Sequence, residues 1–212
     1  MVPVRVLVFA KAPVPGEVKT RLIPALGAQG AAELHRRLVH RALAVATAAD
    51  LGAVELWCAP DSGHAFFQEC RDTHGCALHI QCPGDLGQRM RHALESEGDT
   101  GFPAMLLGSD APGLDSGRLR AAARLLEACG QGVVVPALDG GYVLIGLGRP
   151  AALLFEGIRW GTDEVLARTR AQAVEAGLLL VETEPCADID RPEDLDHCLP
   201  NLIQGLGREP NK

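Results

Sequence analysis

Short apolar runs alternate with longer amphipathic stretches along most of this 212-residue chain, and this alternation is what most restricts its fold. The first run, residues 4–10 (VRVLVFA), is almost entirely apolar, as parallel strands buried on both faces are. Residues 28–49 then place Leu34, Leu38 and Ala42 at helical spacing. Repeated strand–helix units pack as a sheet covered by helices. We therefore predict an α/β protein with a doubly wound, mostly parallel sheet in a three-layer α/β/α arrangement.

The same patterns predict the other elements. Strands are expected at 54–59, 78–81, 103–108, 133–137, 142–147 and 178–182, and helices at 63–74, 85–97, 116–128, 162–176 and 191–199. Ser116 and Thr162 are expected to cap the helices that they begin. We predict one domain over residues 1–200, followed by a frayed tail at 201–212.

Composition excludes several classes of partner and site. The formal net charge is −7 and no basic run occurs, which argues against nucleic acid as a partner. The seven cysteines are scattered and never form a C-x-x-C pair, so neither disulfides nor structural zinc are expected. No apolar stretch approaches the roughly 18–20 residues that span a bilayer. The apolar run near the start is too short for a signal peptide, so a cytoplasmic location is expected. The oligomeric state is left open.

The segment after the first strand, FAKAPVPGEVKTRL at 9–22, is unusually basic for an acidic protein. It holds every lysine of the chain except the terminal Lys212. Backbone N–H groups together with Lys and Arg side chains bind phosphates well, although the spacing is not that of a Walker loop. A solvated connector is the alternative. The candidate nucleotide-binding residues here are Ala10, Lys11, Pro13, Gly16, Lys19 and Arg21.

Carboxylates follow two other predicted strands. Asp110 comes directly after a buried strand, and Asp188 and Asp190 alternate on a strand-like segment, so both should point the same way. Oxygen ligands of this kind suit Mg²⁺ or Mn²⁺, the predicted cofactor. Asp110 could instead cap a turn, and Asp190 could cap a helix that begins at Pro192.

Two glycine-bearing segments complete the candidates. In GDLGQRM, Gly84 and Gly87 allow a flat ligand such as a base or sugar to approach a helix start, although a plain turn explains them equally well. The turn DGGY and a later tryptophan could form the acceptor side of a site. A structural role at a sheet edge or behind a helix start is the alternative. The acceptor-side candidates are Asp139, Gly140, Gly141, Tyr142 and Trp160.

Taken in order, FAKAPVPGEVKTRL, GDLGQRM, LLGSDAPGL, PALDGGYVLIGL, WGTDEVL and DIDRPEDL resemble one bacterial family of GT-A-like transferases. It is the radical-SAM/selenodomain-associated transferase 1 family, some members of which are named arsenosugar-biosynthesis glycosyltransferases. The same six motifs in this order resemble, more distantly, those of 2-phospholactate guanylyltransferase and of the molybdenum-cofactor nucleotidyltransferases. The resemblance implies a nucleotide-diphospho-sugar transferase fold and a divalent metal. It assigns Lys11, Lys19 and Arg21 to the phosphates, Asp110 with Asp188 or Asp190 to the metal, and Gly84, Gly87 and Arg89 to the nucleoside.

The resulting functional hypothesis is a metal-dependent glycosyltransferase that uses a nucleotide-diphospho-sugar and a small-molecule acceptor, with Lys19, Arg21 and Asp110 as catalytic residues. The alternative is a nucleotidyltransferase that releases pyrophosphate from a nucleoside triphosphate. Many GT-A glycosyltransferases carry Asp-x-Asp at the strand end, whereas this chain has Gly108-Ser109-Asp110, which favours the alternative. A third possibility is a nucleotide-binding protein without turnover. No H-x-x-H, H-E-x-x-H or G-x-S-x-G motif points to a hydrolase.

Overall fold

One seven-stranded sheet organises the part of the chain that the computed structural model describes, residues 2–97, 101 and 103–206. The strand order is β3-β2-β1-β4-β6-β5-β7. All neighbours pair in parallel except β6, which runs antiparallel to β4 and to β5. The predicted mostly parallel sheet is therefore confirmed. The strands are β1 (Arg5–Lys11), β2 (Val54–Ala59), β3 (Ala77–Ile80), β4 (Ala104–Gly108), β5 (Gly132–Pro136), β6 (Tyr142–Leu147) and β7 (Leu180–Glu182).

Helices cover both faces of the sheet. The α-helices are α1 (Ile23–Ala49), α2 (Ala65–His74), α3 (Leu86–Glu95), α4 (Ser116–Cys129), α5 (Val165–Glu175) and α6 (Pro200–Ile203). Short 3-10 helices occur at Thr20–Leu22, Ala152–Phe155 and Pro192–His197. None of the helices in the described ranges is long and apolar enough to cross a membrane.

The alternation of side chains along β1 explains the three layers. Val6 and Val8 point into a core formed with α1, α2 and α4, whereas Leu7 and Phe9 point into a second core formed with α3 and α5. A strand whose successive residues face two apolar layers must be apolar at nearly every position, which is the pattern seen in the sequence.

A third, smaller core lies beside the start of α1 and positions the functional residues. Leu22, Leu34 and Leu38 pack there against Ile189 and Leu195. This core attaches the late segment that carries Asp188 and Asp190 to the helix that follows the basic loop. Leu202 of α6 is also buried in it, so the start of the predicted tail packs on the domain rather than fraying.

The predicted start of α1 coincides with a kink, and two predicted helix caps are wrong for local reasons. Helix α1 spans Ile23–Ala49, but Gly27 has non-helical backbone angles (φ 67°, ψ 167°), so the regular helix after this kink covers the predicted 28–49 span. Asp115, not Ser116, caps α4 by accepting a hydrogen bond from the Arg118 N–H at 2.8 Å. Helix α5 starts at Val165 rather than at Thr162, whose hydroxyl donates to the Arg159 carbonyl at 2.9 Å instead of capping a helix.

Candidate active site

The loop between β1 and the 3-10 helix at Thr20–Leu22 is held in tight turns at the carboxyl edge of the sheet. Ala12 N–H donates to the Ala59 carbonyl at 2.9 Å, and Glu17 N–H donates to the Val14 carbonyl at 3.0 Å. Gly16 has φ 88°, a conformation that favours glycine. The loop is therefore a shaped turn rather than a loose connector.

The three cations of this loop have three different environments. Lys11 is exposed, and no described residue forms an ion pair or side-chain hydrogen bond with its ammonium group. The side chain of Lys19 is only 4% exposed and lies 3.0 Å from Asp110. Arg21 is exposed and forms an ion pair with Asp190. Only Lys11 is thus immediately available to a new anion.

The ammonium group of Lys19 joins two distant segments of the chain. It contacts Asp110 Oδ1 after β4 and donates a hydrogen bond to the carbonyl of Ile189 in the late segment. Lys19 itself has left-handed backbone angles (φ 48°, ψ 40°), which cost a non-glycine residue about 1 kcal/mol or more. The two polar contacts offset this cost and hold the ammonium beside the carboxylate.

Asp110 has one occupied and one open carboxylate oxygen among the described residues. Lys19 and the hydroxyl of Ser109, which donates at 3.3 Å, both contact Oδ1, and the side chain is 45% exposed. Burial raises the pKa of Asp110. The positive charge of Lys19, that of His35 once its ring is protonated at low pH, and the hydrogen bonds from Lys19 and Ser109 outweigh burial and lower this pKa below its usual value. Asp110 is therefore ionised at neutral pH, and Oδ2 can accept a further ligand.

Asp188 lies close to Asp110 because the neighbouring Ile189 is fixed in place. The Ile189 N–H donates to the Asp110 carbonyl at 2.9 Å, and its side chain is 1% exposed. Burial, followed by the negative charge of Asp139 and more weakly that of Asp110, raises the pKa of Asp188 to about 6. Asp188 is thus repelled by both of the other carboxylates.

The described ranges contain no group of three or more His, Cys, Asp or Glu side chains arranged to hold a metal ion. Asp110 and Asp188, which line one cavity, could each supply a ligand to a divalent cation at this edge. The other ligands would come from substrate phosphates and water, which is how Mg²⁺ is commonly held in phosphate-transfer sites. Asp190, which pairs with Arg21, lines an adjoining outer pocket.

A cavity of about 220 Å³ opens beside these carboxylates, and we call it the Asp139 cavity. It is lined by Phe9, Leu86, Met90, Leu106, Gly108, Asp110, Ala111, Ala137, Asp139, Gly141, Tyr142, Val143, Trp160, Gly161, Thr162, Val165 and Asp188. The acceptor-side candidates Asp139, Gly141, Tyr142 and Trp160 all line it. The rings of Tyr142 and Trp160 meet edge to face, with centroids 6.4 Å apart.

The turn that carries Asp139 needs its glycines. Gly140 has φ 91°, and a Cβ atom there would lie 2.2 Å from the Asp163 carbonyl oxygen, so no larger residue fits without a shift. Gly141 N–H donates to Asp139 Oδ1 at 3.0 Å. Gly140 therefore shapes the turn, while Asp139 faces the cavity.

A second depression, which we call the Lys11 groove, lies at the same carboxyl edge of the sheet, over the ends of β1, β2 and β3. It has a volume of about 440 Å³ and is lined by Lys11, Ala12, Glu17, Val18, Ala59, Pro60, Gln81, Cys82, Pro83 and Arg89. Arg89 donates to the Gly84 carbonyl at 2.9 Å, which holds its guanidinium near the groove. Of the predicted nucleoside segment, only Arg89 lines the groove.

Gly87 allows Trp160 to pack closely against α3. A Cβ atom at Gly87 would lie 2.7 Å from both the Trp160 ring and the Phe155 carbonyl oxygen. The indole therefore sits against bare backbone, and Gly87 positions one wall of the Asp139 cavity. Gly84, with φ 121°, shapes the turn before α3, which Asp85 caps.

Sequence reasoning missed His35, which lies beneath the basic loop. Its side chain is buried, and Nε2 donates to the Lys11 carbonyl at 3.0 Å. Burial lowers the pKa of His35, so the ring is neutral at physiological pH. The available signal was its helical spacing: His35 lies one turn after Ala31 and close to Leu34 and Leu38 on the buried side of α1.

Comparison with known proteins gives the family. The model of a bacterial family described as uncharacterized conserved protein (DUF2064) matches residues 42–162, more than half of the chain. The chain belongs to this family. No curated protein matches it.

Solved structures show the same fold. A protein from Desulfovibrio desulfuricans G20, proposed to be a nucleotide-diphospho-sugar transferase, is 32% identical, with a TM-score of 0.79 over 90% of this chain and 84% of that one. The 4-diphosphocytidyl-2C-methyl-D-erythritol synthase of Anaerococcus prevotii DSM 20548 is 9% identical, with a TM-score of 0.62 over 92% of this chain and 94% of that one. Rv0371c of Mycobacterium tuberculosis H37Rv, crystallised with manganese, is 17% identical, with a TM-score of 0.55 over 96% of this chain and 99% of that one. The DUF2064 chain is thus an enzyme of the transferase class with a nucleotide-diphospho-sugar transferase fold.

Proposed function

We propose that this transferase is a metal-dependent glycosyltransferase that takes a glycosyl group from a nucleotide-diphospho-sugar, within the radical-SAM/selenodomain-associated transferase 1 group of the family. The observation that carries the proposal is the arrangement around Asp110. Its carboxylate has one oxygen on Lys19 and one open, and it shares a cavity with Asp188. Cations and open carboxylates side by side suit a diphosphate bound through a divalent ion.

The nucleotide would lie in the Lys11 groove with its phosphates directed toward Asp110. Lys11 is exposed and unpaired among the described residues, so it can bind a phosphate without losing an existing contact. The likeness to the Desulfovibrio protein, whose proposed substrates are nucleotide-diphospho-sugars, supports this choice of donor.

Asp110 and Asp188 would hold Mg²⁺ or Mn²⁺. The manganese bound to the Mycobacterium protein of similar fold supports a divalent ion, and the open Oδ2 of Asp110 fits one. Such an ion neutralises negative charge that develops on a departing diphosphate.

Lys19 has a positioning role and an electrostatic role in this proposal. Its buried ammonium fixes the orientation of the Asp110 carboxylate and adds positive charge beside the leaving group. Arg21 would reach the phosphates only by leaving Asp190, and its exposed side chain permits that change.

Nucleotidyl transfer, with attack on the α-phosphate of a nucleoside triphosphate and release of pyrophosphate, is the second candidate. The observation that favours it is the single carboxylate Asp110 at the end of β4, with Asp188 supplied late in the chain. This replaces the Asp-x-Asp of many GT-A glycosyltransferases.

A thermal-shift panel tests nucleotide use directly. Nucleoside triphosphates and nucleotide-diphospho-sugars are compared with and without Mn²⁺ or Mg²⁺. The correct ligand at 100 times its Kd should add about 2.7 kcal/mol of apparent stability. The absence of any shift across the panel would remove the proposal.

The released product then separates the two transfers. A nucleoside diphosphate supports glycosyl transfer, whereas pyrophosphate supports nucleotidyl transfer. Tight, metal-dependent binding with neither product would indicate a nucleotide-binding protein. Asp72→Asn, which changes a carboxylate on α2 outside both the Lys11 groove and the Asp139 cavity, is the matched control for Asp110→Asn.

A further inference from the structure

The Asp139 cavity has apolar walls and acidic polar groups. Met90, Leu106, Val143 and Val165 form much of its wall, together with the rings of Tyr142 and Trp160. Among the described residues, the charged side chains that line it are Asp110, Asp139 and Asp188. Within the described ranges, no Lys, Arg, His, Asn or Gln lines the cavity. It therefore offers an apolar surface and hydrogen-bond acceptors, but no cation for an anionic ligand.

The cations closest to the cavity are already paired or lie outside it. Lys19 is bonded to Asp110 and its side chain is 4% exposed. Arg21 pairs with Asp190. Arg21 and Arg191 line the adjoining outer pocket, where the lining aspartates are Asp139, Asp163, Asp188, Asp190 and Asp194. Five carboxylates against two guanidinium groups leave that pocket acidic as well.

A divalent ion between Asp110 and Asp188 would not make the surroundings of the cavity favourable for an anion. Asp139 keeps its charge, and the diphosphate that comes with the ion adds negative charge at the cavity entrance. An incoming phosphate or carboxylate would therefore meet like charge on an apolar surface, which disfavours both its entry and its desolvation.

We propose that the Asp139 cavity binds a non-nucleotide substrate that has an apolar body and an uncharged or cationic group. The cavity rejects molecules of the same size that carry a phosphate or a carboxylate. Asp139 orients the ligand. Its Oδ1 accepts the Gly141 N–H, which leaves Oδ2 for a ligand hydroxyl or ammonium. That the ligand is a substrate rests on the proposed transferase activity, whereas the preference for ligand charge rests on the cavity alone.

Tryptophan fluorescence can measure this preference without turnover. The chain has two tryptophans, and only Trp160 lines the cavity, so Trp57→Phe leaves Trp160 as the sole reporter. The probes are cyclohexylmethanol, cyclohexylmethylamine, cyclohexanecarboxylate and cyclohexyl phosphate, which share a ring and differ in the attached group. Each is titrated near neutral pH, alone and with a nucleoside diphosphate plus Mn²⁺.

We expect the amine and the alcohol to bind at least tenfold more tightly than the carboxylate and the phosphate, with the amine tightest. Equal or tighter binding of either anion would overturn the proposal, as would the absence of a Trp160 response to both the amine and the alcohol. Trp160→Phe should abolish the signal while the nucleotide thermal shift persists.

Asp139→Asn tests the orienting residue. It should reduce the preference for the amine over the carboxylate about tenfold. Asp163→Asn, which changes a carboxylate that lines only the outer pocket, should leave the preference unchanged. An unchanged preference in a folded Asp139→Asn variant would refute the role of Asp139.

The two proposals fail separately in this design. A nucleotide panel without any thermal shift removes the transferase activity but leaves the ligand preference of the cavity standing. A positive nucleotide panel with tighter binding of the anionic probes removes the preference and leaves the activity.

Discussion

The Lys11 groove and the Asp139 cavity lie at the same edge of the sheet and have opposite electrostatic character. The groove lies over the ends of β1, β2 and β3 and presents Lys11 and Arg89 against the single carboxylate of Glu17. The cavity lies over β1, β4 and β6 and presents carboxylates on an apolar wall. Lys19, which directly follows Val18 of the groove lining, forms an ion pair with Asp110 of the cavity lining. The comparison teaches that an acidic protein can place a groove with exposed cations beside a cavity whose charged groups, among the described residues, are all acidic.

Asp110→Asn should have the largest effect, because it removes the negative charge that pairs with Lys19 and lines the Asp139 cavity. We expect the transfer rate to fall about 100-fold or more, as when a charge-stabilising group is lost from an active site. Leaving the Lys19 ammonium without its partner should also cost about 1–3 kcal/mol of unfolding free energy. Product release and denaturant unfolding measure the two effects. A near-wild-type rate in Asp110→Asn, or an equal loss in Asp72→Asn, would contradict the assignment.

Lys11→Ala removes the free cation of the groove. Nucleotide affinity should fall about tenfold, or about 1.4 kcal/mol, because one charge-assisted contact to phosphate is lost. Lys11 is exposed without a side-chain partner among the described residues, so the unfolding free energy should change by less than about 0.5 kcal/mol. Calorimetric titration measures the affinity. Arg149→Ala, at an exposed position after β6 at the opposite edge of the sheet, removes the same charge and should leave nucleotide affinity intact.

Asp188→Asn should stabilise the metal-free protein. Burial and the charge of Asp139 raise the pKa of Asp188 to about 6, so the ionised form is costly in the folded protein above that pH. Part of the residue is solvent-exposed, which reduces the expected gain to about 1 kcal/mol near pH 7. Because the folded pKa lies above the unfolded one, the wild-type penalty disappears as the pH falls from about 6 toward about 4. Denaturant unfolding across this range measures the effect.

Mn²⁺ should stabilise the wild type more than the Asp188→Asn variant. A variant less stable than the wild type at pH 7 would argue against repulsion between the carboxylates.

His35→Gln should have the smallest effect, and it tests the buried side chain that hydrogen-bonds the Lys11 carbonyl. Burial lowers the pKa of His35, so the unfolded chain takes up a proton more readily than the folded protein. Stability contributed by the neutral ring is therefore lost as the pH falls below about 6.5. The glutamine side-chain amide can still donate to the Lys11 carbonyl, but it does not take up a proton as the pH falls. Between pH 7 and pH 5.5, the wild type should lose up to about 1 kcal/mol more than the variant, as measured by denaturant unfolding. The exposed His92→Gln is the control, and an identical pH dependence of wild type and His35→Gln would refute this account.

Much of the fold could be predicted from the chain because its strands are buried on both faces. A strand in that environment must be apolar along its length, and β2 and β6 were predicted with their observed boundaries. Helix starts were less predictable, since a cap depends on which neighbouring polar side chain reaches the free N–H groups. Asp115 and Ser116 are both good capping residues, and only the local backbone selects Asp115.

The candidate site was predicted as a set of residues but not as an arrangement. Lys11, Lys19 and Arg21 are equivalent cations in the sequence. In the structure Lys11 is exposed without a partner among the described residues, Lys19 is buried against Asp110, and Arg21 is exposed and paired with Asp190. The sequence alone does not show whether Gly87 lies against a ligand or against a neighbouring ring, and the structure places it against Trp160. These outcomes depend on contacts between segments that are far apart in the chain, which no local pattern encodes.

The sequence by itself determined a layered α/β fold, a basic loop after the first strand and carboxylates after later strands, because burial imposes apolar runs and loops collect charge. Only the tertiary structure decided that Ile189, buried beside α1, brings Asp188 next to Asp110 and that Lys19 lies between their segments. The physical reason is that a charge acquires its partner and its pKa from neighbours in space. The opposite character of the Lys11 groove and the Asp139 cavity therefore arises only once the chain is folded.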